Sequence, residues 1–222
     1  MKNLSIRRLA CLGSGVVLFF SYLMWRIVLP YTGWELDVEF LITKQHVIHL
    51  DYYKGAFYLH IFSSLIVIIS SAFLFLPGIL KSIPKVHKYI GRLYVFLVLL
   101  ISAPSGLVMA FHSNGNFATS INFILLSILW WVFTFIGFQS AIKKKFIQHR
   151  NWMLRSFALT MSAVTLRLAQ MILNTFFTIE PDLQYCLVSW GSWVINLIIV
   201  EMFIRRKFLF RTPKFNFSSS SM

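Results

Sequence analysis

Six histidines occur in the 222 residues, and four of them stand at the ends of long apolar stretches. His60 and His112 fall at the outer ends of the second and third stretches. His87 and His149 fall at the inner ends of the third and fifth. An ionisable side chain at membrane depth is costly, which makes such residues functional candidates by default. Imidazoles titrate near neutrality and ligate metals. Two of them facing each other suit proton transfer, a bound metal ion or axial ligation of haem iron. The remaining pair, His46 and His49, are three residues apart in a polar loop. One helical face could present both to a metal, but solvated surface histidines are the simpler reading.

The elements that must position these side chains are membrane helices. The chain is 58% hydrophobic and 13% charged, against about 25% charged in soluble domains. Apolar stretches at roughly 9–30, 56–80, 91–112, 120–142, 153–176 and 186–204 are each long enough to cross a hydrocarbon core of about 30 Å as a helix. The expected fold is all-α, a bundle of six transmembrane helices forming one membrane domain over residues 1–222, with no soluble module. Spans 2 to 5 are its expected core.

A formal net charge of +14 raises the question of nucleic acid, and its distribution answers it. Lys2, Arg7 and Arg8 precede span 1. Lys81, Lys85, Lys88 and Arg92 join spans 2 and 3. Lys143, Lys144, Lys145, Arg150 and Arg155 join spans 4 and 5. Arg205, Arg206, Lys207, Arg211 and Lys214 follow span 6. The alternate loops hold Lys44 and Lys54, with Arg26 near the outer end of span 1, and six of the seven acids. This is positive-inside asymmetry in a multi-pass protein of the cell membrane, with both termini cytoplasmic. Basic inner loops also attract anionic lipid headgroups, so the expected partners are the bilayer and those headgroups, not nucleic acid.

Cys11 and Cys186 lie at opposite ends of their spans, too far apart for a disulfide or a shared metal. The N-terminus resembles a signal peptide, but the apolar run continues through Trp25 and Arg26 without a small-residue cleavage site, which suggests a retained anchor. Residues 205–222 form a basic, Ser-rich cytoplasmic tail. Trp34, Tyr52 and Tyr53 in the long first outer loop suit the headgroup layer.

Small and polar residues mark faces that belong against other helices. In span 5, Ser156, Thr160, Ala163, Arg167, Gln170 and Asn174 recur at steps of four and three, which is one helical face. Span 2 carries His60, Ser63, Ser64, Ser70 and Ser71; span 3 carries Ser102, Ser105, Met109 and His112; span 6 carries Ser189, Ser192 and Asn196. For the small residues a packing seam suffices. Arg167 asks for more, because a guanidinium inside a membrane needs a counter-charge or several acceptors. Glu201 is the one acid within a span, and its inner position suits Arg155. Arg167 is left with backbone carbonyls and Gln170, with Asp182 reaching in from its loop, or with an anionic ligand.

Spans 2 to 5 form two consecutive hairpins with basic inner turns. Aligning His87 with His149 sets His60 against Asn122 and His112 against Asn174. An old duplication and coincidence both fit that alignment. Antiparallel neighbours would bring His60 and His112 to a common depth. Bound b-type haem would then use those two as axial ligands, with Arg167 holding a propionate. His87 and His149 are second-site candidates in the inner interface. With Arg92, Arg150 and Arg155 they equally suit an anion or lipid phosphate at helix N-termini.

The ordered motifs Pro84-x-x-His87-x-x-x-Gly91-Arg92-Leu93-Tyr94-Val95, Ser105-Gly106, His149-Arg150-x-Trp152-Met153-x-Arg155-Ser156 and Leu166-Arg167 resemble the bacterial membrane family catalogued as domain of unknown function 2306. The resemblance runs from about Phe57 to the end of span 6. It implies a multi-pass membrane protein and carries no established activity. Family members often have a Gly-Pro-x-Gln-Phe-like stretch late in span 2, where this chain reads Ser71-Ala72-Phe73-Leu74-Phe75. At the level of fold, the histidine layout also resembles dihaem cytochromes b of the b-561 type, although span 4 contributes no histidine. Three functions follow as expectations: haem-based transmembrane electron transfer with an unidentified redox partner, a small-solute or proton-coupled carrier, and a non-catalytic lipid-binding or assembly component. No paired-carboxylate or nucleophile motif points to hydrolysis, and whether the protein is an enzyme stays open.

Overall fold

Long apolar stretches leave the chain one way to satisfy its backbone in lipid, which is to form helices. The computed structural model describes residues 2–74 and 83–205, with side chains from Gly13 onward except Ser14. The side chains of Lys2, Arg7, Arg8 and Cys11, together with Phe75, Lys81 and the tail beyond Arg205, lie outside the described residues. Helix α1 is Lys2–Val28, and 3-10 turns follow at Leu29–Gly33 and Glu39–Lys44. Next come α2 (Asp51–Leu74), α3 (Pro84–Leu97), a π turn (Val98–Ser102) and α4 (Ala103–Ala110). The chain continues as α5 (Phe117–Ile142), α6 (Phe146–Thr160), α7 (Ser162–Phe176) and α8 (Pro181–Arg205). No strand occurs among the described residues.

These elements make six stretches able to cross a membrane: Gly15–Gly33, Asp51–Leu74, Pro84–Ala110, Phe117–Ile142, Phe146–Phe176 and Pro181–Arg205. Below, the inner end of the bundle is the one carrying the basic turns and the outer end is its opposite. Five helices begin three to seven residues before the apolar boundary read from sequence. Hydropathy marks where the side chains enter hydrocarbon, whereas the helix itself runs on through the polar interface. His60 therefore sits nine residues into α2 rather than one turn from its end.

The turn between α5 and α6 has only three residues, and it is closed by backbone hydrogen bonds from Lys145 N–H to Ser140 and from Lys144 N–H to Ala141. That is a Schellman stop, with Lys144 in the left-handed region at φ 58°. The two helices approach closely at Gly137, where an added Cβ would meet Met153 Sδ at 2.7 Å. The core between the spans is built from Val67, Tyr94, Leu97, Val98, Trp130, Leu159 and Trp193. A smaller cluster of Met24, Ile68 and Val164 seats α1 against α2 and α7. At the outer end the loop after α1 folds back on α2 through Tyr31, Leu41, Val47, Ile48, Tyr53, Phe57 and Tyr58.

Spans 3 and 5 are interrupted near their centres. In span 3, Pro104 has no N–H, and its ring crowds the carbonyl of Leu100. The ladder widens just before it into the π turn Val98–Ser102. In span 5, Met161 separates α6 from α7. The first interruption starts eleven residues after His87 and the second falls twelve residues after His149. The two hairpins thus share a histidine in the first turn of their ascending helix and a break at nearly the same register.

Candidate functional site

A broken helix presents backbone carbonyls to its neighbours, and here those carbonyls collect the polar side chains of other spans. His60 Nδ1 donates to Ser102 O at 2.8 Å, and Trp131 Nε1 donates to Leu99 O at 3.0 Å. At the second break, Asn196 Nδ2 of α8 donates to Ala158 O at 3.1 Å, and within the same span Ser162 Oγ donates to Leu159 O at 2.6 Å. Because Ser102 O can only accept, the His60 ring carries its proton on Nδ1 and leaves Nε2 as the basic nitrogen. Ser64 Oγ lies 3.5 Å from that nitrogen. Ser63 and Ser102 hydroxyls join spans 2 and 3 at 2.7 Å. Gly106 makes room for the imidazole, since a Cβ there would lie 2.9 Å from His60 Cε1.

Farther inward a buried network ties spans 3, 4 and 5. Tyr94 hydroxyl meets Ser156 Oγ and Thr160 Oγ1, each at 2.8 Å. Trp130 Nε1 donates to Thr160 Oγ1 at 3.1 Å, and Thr134 Oγ1 meets Ser156 Oγ at 2.7 Å. Trp193 Nε1 donates to Asn122 Oδ1 at 2.6 Å, while the buried Asn122 Nδ2 has no partner. The polar stripe of span 5 is therefore a bonded seam at Ser156 and Thr160.

The two outer histidines do not share a site. His60 reads Ser102, whereas His112 Nε2 meets Tyr52 hydroxyl at 3.0 Å and its ring stands edge-on to Tyr53. Tyr52 and Tyr53 precede His60 by seven or eight residues, about 11 Å along a helix. Two axial imidazoles of one iron must face each other across the macrocycle, so His60 and His112 as placed do not suit joint ligation. His112 belongs instead to an outer clasp. Lys44, buried in the first outer loop, donates to the carbonyl of His112 and to the side-chain oxygen of Asn114. Asn114 Nδ2 in turn donates to Thr43 Oγ1 at 3.0 Å.

The inner histidines make no hydrogen bond to each other, although His149 acts electrostatically on His87. His149 Nδ1 donates to Gly137 O at 2.9 Å, which presents Nε2 outward from that bond. His87 Nδ1 is buried without a partner. Of the inner arginines, Arg155 is committed to Glu201, with Nη2 to Oε2 at 2.8 Å, and stacks on Trp152 at 4.7 Å. Arg205 holds the other carboxylate oxygen at 3.2 Å. Arg150 Nη2 donates to Asn151 Oδ1 at 3.1 Å. Arg92 is exposed, as are His46 and His49. No cluster of three or more metal-ligating side chains occurs among the described residues.

Arg167 stands on α7 in the outer half, exposed, and makes no ion pair or hydrogen bond among the described residues; Asp182 and Gln170 do not reach it. Its charge acts on the hydroxyls of Tyr31 and Tyr185. The roles of Lys44, Tyr94, Trp131 and Gly106 emerge only from the packing. Pro104 is the local signal for the Leu99 carbonyl that Trp131 binds, while Ser102 O accepts from both His60 and Ser105.

Two outcomes test this geometry. Gly106→Ala should push the His60 ring off Ser102 O and lower thermal stability in detergent by about 1–3 kcal/mol, the usual cost of overpacking; an unchanged melting midpoint would refute the close fit. Burial lowers the Lys44 pKa from its ordinary 10.5 to about 8. The folded state then binds fewer protons than the unfolded one between those values, so stability rises as pH climbs from about 8 to 10.5. Lys44→Met should flatten that part of the stability profile.

No curated protein and no solved structure matches this chain. The family model described as predicted membrane protein (DUF2306) matches residues 57–204, from the second turn of α2 to the last turn of α8. That segment contains both helix breaks, all four span-end histidines and Arg167, and the chain belongs to this family of membrane proteins.

Proposed function

We propose that the protein is a proton-coupled carrier of a small polar solute. The observation behind this reading is the pair of helix breaks, one in span 3 and one in span 5, at matched distances from His87 and His149. Carriers commonly bind substrate and coupling ions near the bilayer centre, at discontinuous helices within repeated units whose free backbone groups line the site. His60 supplies a titratable nitrogen at the first break, held in one tautomer by Ser102 O. The Tyr94, Ser156, Thr160 and Thr134 hydroxyls supply exchangeable protons beside the second. In liposomes loaded with a pH-sensitive dye, an inward gradient of lactate or inorganic phosphate should acidify the lumen. His60→Asn should slow that acidification at least tenfold while the protein stays folded. Wild-type protein no faster than empty liposomes would overturn the proposal.

A second reading rests on the inner pair. His149 acts electrostatically on His87, and the Gly137 carbonyl orients the His149 ring as backbone carbonyls orient metal-ligating histidines. These two imidazoles, on spans 3 and 5, would hold b-type haem if the protein passes electrons in the manner of cytochromes b of the b-561 type. Bound haem would supply one-electron redox chemistry; the residues themselves supply two ring nitrogens in the inner interface. Protein purified from haem-replete cells would show a Soret band that His149→Ala abolishes. A colourless preparation would sink this reading and leave the carrier untouched.

A further inference from the structure

The turn between α5 and α6 sits at the level where hydrocarbon gives way to headgroups. Its lysines, Lys143, Lys144 and Lys145, are exposed, and so are the apolar side chains beside them, Ile142, Phe146 and Ile147. Large apolar side chains are poorly placed in water, whereas long cationic ones can reach a polar surface from an apolar setting. The mixture therefore belongs within the membrane interface rather than above it.

Beside this turn runs a groove of about 440 Å³, lined by Phe135, Ile136, Gln139 and Lys143 of α5, Lys145 of the turn and Gln148 of α6. Its character changes along its length. Phe135, Gln139 and Lys143 follow one ridge of α5 at steps of four, so an apolar, an amide and a cationic side chain succeed one another over about 12 Å. The apolar end continues outward as Trp131, whose ring stacks on Phe135 with centroids 5.0 Å apart. Ser140, also in the lining, is buried and spends its hydroxyl on Ile136 O at 2.7 Å. Neither Lys143 nor Lys145 is in an ion pair among the described residues. Glu201 is the one acid near the inner end of a span, and Arg155 and Arg205 hold its two oxygens.

A free phosphate would meet the lysines and leave Phe135 and Ile136 bare. A neutral lipid would cover the apolar wall and leave both ammonium groups without a counter-charge. An anionic phospholipid matches the whole gradient. We propose that this groove seats one anionic phospholipid of the inner leaflet, with its phosphate at Lys143 and Lys145, its ester region beside Gln139 and Gln148, and an acyl chain along Ile136, Phe135 and Trp131. The attraction of a basic surface for anionic lipid depends on charge alone; a graded groove adds a fixed place and an apolar contact. The seat uses no residue of the His60 site or of the Tyr94 network, so it stands or falls independently of the carrier.

The full-length chain, delipidated in a non-ionic detergent, provides the test. Its thermal midpoint is read during titration with phosphatidylglycerol, with phosphatidylcholine and inorganic phosphate as references at constant ionic strength. Phosphatidylglycerol should raise the midpoint in a saturable way, and the references should not. Lys143→Gln combined with Lys145→Gln should raise the half-saturating concentration at least tenfold. Without lipid that variant should melt as wild type does, because both side chains are exposed and form no ion pair. Lys85→Gln combined with Lys88→Gln removes the same charge from the other basic turn and should change the half-saturating concentration less than twofold. Phe135→Ser should raise it about threefold, a loss that charge alone would not produce. Equal losses in the two double variants would reduce the effect to diffuse charge and overturn the seat. So would the absence of a saturable response, or a response to inorganic phosphate as strong as that to phosphatidylglycerol.

Discussion

Everything in this bundle follows from the need to satisfy backbone carbonyls where no water can do so. A helix in hydrocarbon normally meets that need by itself. Pro104 prevents it in span 3, and the π turn passes the burden to side chains from spans 2 and 4. His60 and Trp131 answer it through Ser102 O and Leu99 O. The break in span 5 is answered in the same manner by Asn196 from span 6. These bonds fix the register of the spans against one another. They also carry polar atoms into the middle of an otherwise apolar core, where Val67, Leu97, Val98 and Leu159 exclude water.

The same constraint explains why the histidines separate into different tasks. His60 is held by a carbonyl in the outer half of the core, which places its proton on Nδ1 and leaves the Nε2 lone pair free. His112 is drawn away toward Tyr52 and the Lys44 clasp. A lysine buried against two oxygens ties the first outer loop to the turn between spans 3 and 4, closing the outer end over α2. At the inner end His87 and His149 each stand in the first turn of their helix, and His149 binds the carbonyl of Gly137. Arg155, Glu201 and Arg205 bind α6 to α8 beside them. The Arg155–Glu201–Arg205 ion pairs thus tie helices at the inner rim, neutral hydrogen bonding serves the centre, and Arg167 takes part in neither among the described residues.

Some of this architecture is written in residue patterns. The six apolar stretches, the sign of each loop and the pairing of Arg155 with Glu201 can be derived from hydropathy, charge and reach alone. The polar face of span 5 is likewise visible in its spacing, and Ser156 and Thr160 do bond to neighbouring helices. Other features leave weaker traces. Pro104 signals a disturbed helix without saying which side chains will meet the freed carbonyls. Tyr94 reads as an ordinary aromatic of a core face until its hydroxyl is seen between Ser156 and Thr160. His60 and His112 appear to be partners when each span is treated as a straight rod ending at its apolar boundary. They are not, because His112 pairs with Tyr52 in the first turn of α2, about two turns outward of His60 on the same helix.

The sequence by itself determined that the chain is an all-helical six-span membrane bundle, because transfer free energy is a local property of twenty-residue stretches. It also showed which ionisable residues stand within or at the ends of those stretches. Tertiary structure alone decided their partners: His60 a backbone carbonyl, His112 a tyrosine hydroxyl and His149 the carbonyl of Gly137. Partnership depends on helix rotation and on where each helix truly starts, and those are set by packing between segments far apart in the chain. A period of 3.6 residues specifies a face but not what stands opposite it.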